Sequence, residues 1–145
     1  MKALIQRVKK ASVKIEEKEY SAIGNGILLL LGVTKEDSKV NAQNLAKKVA
    51  NLRIFEDENQ KMNYSLLDVK GEALIVSQFT LCGDCKKGTR PSFDNSAPPD
   101  IANKLYELFI KEMETQNIST KHGVFGADMK ISLLNEGPVT FMLEF

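Results

Sequence analysis

Scarcity defines this 145-residue chain more than abundance does. It has one histidine, two cysteines and four prolines, and a formal charge of only +1. Two cysteines and one histidine cannot supply the four Cys/His ligands of a structural zinc site. A Ser-His-Asp triad has only His122 to use, and a lone histidine is more often structural than a general base. The G-x-S-x-G elbow of serine hydrolases and the H-E-x-x-H of zinc proteases are both missing. No apolar run reaches the roughly 18 residues of a membrane span. The opening MKALIQRVKKASVKI alternates and carries charge throughout, unlike a signal peptide, so a cytoplasmic location is expected. No internal repeat or low-complexity linker divides the chain, and a single domain over 1–145 is expected. The near-neutral charge leaves nucleic acid open, because a local basic patch binds phosphate on a neutral protein.

What is present is a patterned core. Hydrophobic residues make up 43% and charged residues 27% of the chain. Residues 3–8 and 11–16 alternate as half-buried strands do. Residues 16–18 read as a polar turn, and Tyr20 begins a return strand. "GILLLLGV" at 26–33 is too short for a helix and too apolar for a one-sided strand, so it predicts a strand covered on both faces. Over 37–51 the period becomes helical, with Ala42, Leu45, Ala46 and Val49 on one stripe and Asp37 or Ser38 as cap. A short strand at 52–55, a polar loop at 56–65, a strand at 72–81 and a long loop at 82–99 follow. A second helix begins at Asp100, with Ile101, Leu105, Leu108, Phe109 and Met113 on one face. Strands are expected at 118–125, 129–134 and 139–145. The order βββ-α-β-β-α-βββ predicts an α/β domain of stacked β-sheets with two main helices packed on one side.

Few stretches carry chemistry. Cys82-Gly-Asp-Cys85 has the spacing of a redox pair, but Gly83, Gly88 and Pro91 surround it with loop, and two reduced thiols are the simpler reading. "GDCKKGT" resembles a phosphate loop but has Thr89 where the lysine belongs. "SQFTL" at 77–81 directly follows the buried strand 73–76, where α/β sheets form sites, and its backbone N–H groups suit a developing oxyanion. "GVFGADM" at 123–129 flanks Phe125 with glycines, as either a bulged strand or a close-approach segment. Gly137-Pro138 reads locally as a trans proline entering an edge strand, or as a stiff corner whose carbonyls have fixed directions.

Taken together and in order, MKALIQRV, SQFTL, KKGTRPSF (86–93), GVFGADM and NEGPVT (135–140) resemble the D-aminoacyl-tRNA deacylase family across Met1–Phe145. The resemblance implies a cytoplasmic homodimer without metal or cofactor. It implies hydrolysis of the ester joining a D-amino acid to the terminal adenosine of tRNA, and of glycine mischarged on tRNA. By resemblance, Gly137-Pro138 is cis and enters the partner subunit's site as a chirality filter, and the strand-end site falls on Ser77, Gln78, Phe79 and Thr80. The filter rejects L residues by clash.

With no evident base to activate Thr80, water attack assisted by the ribose 2′-hydroxyl is the expected chemistry. Ser77 and Gln78 would orient the ester. Phe125 is expected either to stack on or flank the adenine or to sit in the core, and Met129 either to line the pocket or to sit in the core. Lys86, Lys87 and Arg90 are candidates for tRNA phosphates, and Arg7 for a brace behind the Gly-Pro corner. Cys82 and Cys85 depart from the family pattern. Two other readings compete: an RNA-binding module without catalysis, and a thiol-redox protein.

Overall fold

A computed structural model describes all residues 1–145. Its organising element is β1 (Lys2–Ile15), which unites the two strands expected at 3–8 and 11–16. Glu16 and Glu17 both adopt positive φ, as a two-residue type I′ hairpin requires, and β2 (Lys18–Ile23) returns along the second half of β1. β3 (Gly26–Gly32) pairs antiparallel with the first half. α1 (Lys39–Ala50) then crosses over, capped by Ser38, whose N–H donates to the Asn41 side chain at 3.0 Å.

β4 (Phe55–Glu56) and β5 (Met62–Tyr64) form a small separate sheet. β5 thus lies within the stretch expected to be loop. β6 (Glu72–Ser77) runs parallel to β3. It stops earlier than the strand expected over 72–81, because Phe79–Cys82 turns into a short 3-10 helix. α2 (Pro99–Thr115) starts with a proline at its first position, where no intrahelical N–H is needed. β7 (Ser119–His122) adds parallel to β6. β8 (Lys130–Glu144) fuses the two last expected strands and pairs along the other edge of β1.

The main sheet is six-stranded, in the order β2-β1-β3-β6-β7 with β8 on β1. The two helices cover one face. Ile5, Ile27, Leu29 and Ile75 meet α1 through Leu45 and Val49, and α2 through Leu105, Phe109 and Met113. The α2 stripe is rotated from expectation: Tyr106 and Ile110 are buried, whereas Ile101 is exposed. On the opposite face Val8, Leu28, Leu74 and Val76 make a smaller cluster. β3 is therefore apolar on both sides, which explains its unbroken run of leucines. No helix is long and apolar enough to cross a membrane.

The parallel β3–β6 pairing begins at Gly26 opposite Glu72. A Cβ at Gly26 would lie 1.9 Å from the Glu72 carbonyl oxygen. Gly26→Ala must push β6 outward and is expected to cost about 1–3 kcal/mol, the usual range for overpacking. Urea unfolding of the two proteins reads this directly, and an unchanged midpoint would refute the close approach.

Candidate active site

Beyond the C-terminal end of β6 lies a cavity of about 670 Å³. It sits on the face that the helices leave open, where strands of an α/β sheet commonly end in a site. Ser77, Gln78 and Phe79 form one wall, and Phe125 and Met129 another. Tyr106 reaches in from α2. Its hydroxyl donates to the Ile75 carbonyl at 2.8 Å, and burial raises its pKa, so it remains a donor. Its ring tilts against Phe125 at 6.1 Å between centroids. Phe125 and Met129 thus combine their alternative roles, since both pack against core clusters and both line the cavity.

The 3-10 turn decides what the strand end offers. Gln78 still donates its N–H to the Leu31 carbonyl at 2.8 Å, as if the β3–β6 region continued. The chain then turns, and the N–H groups of Phe79 and Thr80, opening that turn, have no acceptor within it. First-turn donors of any helix face this lack. Phe79 lines the cavity, and Thr80 follows it just outside the wall. The Phe79 ring is 57% exposed and edges against Phe93 at 5.0 Å. The Thr80 side chain is also exposed and does not line the cavity.

Gly137-Pro138 lies elsewhere in the same chain. The peptide bond is cis. Along the β1–β8 ladder Gln6 faces Thr140, but Val8 faces Asn135. Residues 136–139 therefore bulge out of β8 opposite Arg7. The Asn135 amide closes the neck of the bulge by donating to the Arg7 carbonyl at 2.9 Å and the Val139 carbonyl at 3.0 Å. Arg7 packs behind it, 4% exposed. Its Nη1 donates to the Ile54 carbonyl at 2.7 Å, its Nη2 to Glu56 at 3.2 Å, and Glu136 lies 3.7 Å from its Nε. Gly137 and Pro138 remain exposed and do not line the 670 Å³ cavity.

Lys86, Lys87 and Arg90 sit on an exposed loop closed by reciprocal backbone bonds between Asp84 and Ser92, and none of the three joins an ion pair. His122 turns away from the main cavity toward a smaller one. Sequence reasoning did not single out Asn135, although it stands in the quoted NEGPVT. It also missed Tyr106, Asp128 and Ser96. Asp128 is the one charged side chain on the cavity wall, and Ser96 carries a buried hydroxyl without a partner there. Helical periodicity past Leu105 could have found Tyr106; nothing local marks Ser96.

Residues 4–144 match the family model described as D-Tyr-tRNA(Tyr) deacylase. The D-aminoacyl-tRNA deacylase of Thermosipho africanus (strain TCF52B) is 58% identical over 144 residues, 99% of this chain and 97% of that one. A solved structure described as c-Myc DNA unwinding element binding protein is 40% identical and superposes with a TM-score of 0.94, covering 100% of this chain and 99% of its own. A probable eukaryotic D-amino acid tRNA deacylase shares the fold at a TM-score of 0.85, with 16% identity over 98% and 97% of the two chains.

The two cysteines differ sharply. Cys82 is buried with its sulfur 3.5 Å from the Val33 carbonyl, and burial pushes its thiol pKa up; Cys85 is exposed. Thiolate, not thiol, reacts. In the folded protein a thiol reagent such as DTNB is expected to titrate Cys85 rapidly and Cys82 only after unfolding. Two equally fast thiols would contradict the burial.

Proposed function

The chain belongs to the D-aminoacyl-tRNA deacylase family, hydrolases of the ester bond of D-aminoacyl-tRNA, and from that premise we propose how its cavity and its Gly-Pro corner divide the work. The cavity at the end of β6 takes the aminoacylated terminal adenosine. Phe125 and Met129 flank the adenine, where stacking on an aromatic ring contributes about 1–3 kcal/mol. Ser77 and Gln78 orient the ribose and ester. The observation that carries the reading is the 3-10 turn at the end of β6, whose first two N–H groups, at Phe79 and Thr80, have no acceptor within the turn. Donors fixed before the reaction stabilise an oxyanion without reorganising.

Water is the nucleophile. Its oxygen adds to the ester carbonyl carbon, and the negative charge collects on the carbonyl oxygen facing those two donors. The carbon–oxygen bond to the ribose then breaks, the ribose oxygen takes a proton, and free D-amino acid and tRNA leave. The ribose 2′-hydroxyl, adjacent to the ester, relays the proton. The exposed Thr80 hydroxyl and the distant His122 are not needed. The buried Cys82 argues against a redox role, and membership of a hydrolase family sets aside a pure RNA-binding module.

Gly137-Pro138 of a second copy closes the cavity and reads chirality. D and L esters differ at the α-carbon by exchange of hydrogen and side chain. Carbonyls on a braced corner fix the amino group and occupy the direction an L side chain needs, so every L residue clashes. Glycine, with hydrogen at both positions, passes. The exposed corner lies off its own chain's cavity, and β8 pairs only with β1 while exposing Leu134, Phe141 and Met142. Such an edge invites a second copy, giving an isologous homodimer. Lys86, Lys87 and Arg90 meet phosphates along the acceptor strand. The biological role is proofreading of aminoacyl-tRNA in the cytoplasm.

Purified protein incubated with D- and L-tyrosyl-tRNA is expected to release tyrosine from the D ester alone; equal rates, or none, would overturn the proposal. Gly137→Ala places a methyl 2.9 Å from Arg7 Nη2 and 2.7 Å from Val139, at a φ of +114. Displacement of the corner by such a clash is expected to lower kcat/KM for the D ester by roughly 100-fold.

A further inference from the structure

A second cavity, of about 310 Å³, lies on the far side of Phe125 and Tyr106, which line both spaces. Its own walls come from Tyr20 on β2, His122 at the end of β7, and Asn103 and Glu107 on α2. β2 and β7 are not neighbours in the sheet. They are tied here by the Ser21 hydroxyl, which donates to the His122 carbonyl at 2.9 Å. The Tyr20 and His122 rings face the same space at 6.5 Å between centroids, inclined by 56°. Tyr20 is half exposed, so a broad aromatic face is presented to solvent without covering.

The polar groups are arranged around these rings. His122 Nδ1 lies 2.8 Å from the Gly123 carbonyl. A carbonyl only accepts, so Nδ1 is the donor in this contact. Asn103 donates one amide hydrogen to Glu107 at 3.0 Å. That leaves a second amide hydrogen and a carboxylate oxygen side by side, a donor next to an acceptor. Aromatic faces bordered by an adjacent donor and acceptor are the equipment of single-stranded RNA recognition, in which a base stacks and its edge is hydrogen-bonded. Glutamate is a partner for the cytosine amino group.

We propose that this second cavity binds the nucleobase preceding the terminal adenosine, the cytosine of a tRNA 3′ end, stacked on Tyr20 and edged by Glu107 and Asn103. The inference rests on the placement of the adenosine in the first cavity. One shared wall of Tyr106 and Phe125 then separates two consecutive bases. The site would hold the acceptor strand by its bases, independently of the chirality step, and would raise affinity for tRNA over any free aminoacyl ester of adenosine.

The test compares two minimal substrates, the 3′-D-tyrosyl esters of adenosine and of cytidylyl-adenosine. The wild-type protein is expected to hydrolyse the dinucleotide ester with kcat/KM about 10-fold higher, the order set by one stacked base. Tyr20→Ala should erase that advantage through KM, leaving the adenosine ester unchanged. Glu107→Gln should diminish it in part. Equal wild-type rates on the two esters, or a proportional loss on both in Tyr20→Ala, would overturn the inference. Met129→Ala, which touches only the first cavity, should raise KM for the adenosine ester. If it does not, the placement of the adenosine fails first and the second site fails with it.

Discussion

One buried charge governs the distinctive part of this structure. Arg7 is the only charged residue in the buried set, and a buried guanidinium is costly unless paired and hydrogen-bonded. β1 carries it into the gap where β8 bulges away. The Ile54 carbonyl and Glu56 accept from its two terminal nitrogens, while Nε has no hydrogen-bond partner and only the Glu136 charge 3.7 Å away. Residues 136–139 cannot relax back into the ladder without displacing it. Its Nη2 also leaves no room for a Cβ at residue 137. Arg7 adds to the φ of +114 and the closeness of Val139 in requiring glycine at 137, and Asn135 closes the neck by bonding the backbone on both sides.

The scarcity of catalytic side chains is the complement of that arrangement. On the proposed reading both working parts are backbone: N–H groups where β6 turns into a 3-10 helix, and carbonyls on a braced corner. Backbone groups on packed strands are held by the core, so positioning costs little further ordering. A single reactive side chain would need its own pKa tuning and supports. Here burial shifts are confined to structural groups, Tyr106 and Cys82, both pushed upward by desolvation. On the proposed reading, the cavity beyond Phe125 would add a side-chain-based contact that the chemistry does not use.

Much of this was legible in the sequence because it rests on periodicity and punctuation. GILLLLGV announced a strand apolar on both faces, and Ala42-Leu45-Ala46-Val49 a helix stripe. Other features lie in geometry that no local pattern encodes. The strand expected through Leu81 ends at Ser77 because the chain turns there, and that turn is what frees the two N–H groups. Strands 129–134 and 139–145 are one strand, since a bulge rather than a break accommodates the Gly-Pro pair. Ile101 fits the helical period yet is exposed, because α2 turns Tyr106 and Ile110 inward instead. Asn135 and Ser96 depend on partners or walls far away in sequence. The loop around Cys-x-x-Cys favoured two reduced thiols, and both are free; their unequal burial was not legible in the spacing.

The central claim is that each cavity is completed by the partner's corner, and subunit mixing tests it most directly. One variant keeps its cavity but loses the corner, Gly137→Ala. The other keeps the corner but fills the cavity, Ala127→Trp. Each alone should be nearly inactive on D-tyrosyl-tRNA. Co-refolded in equal amounts, a symmetric dimer mixes at random, so about half the dimers are mixed and each holds one intact site. Activity should return to about one quarter of wild type. If each cavity used its own chain's corner, every site in the mixture would carry a defect, and the mixture would stay as inactive as its components.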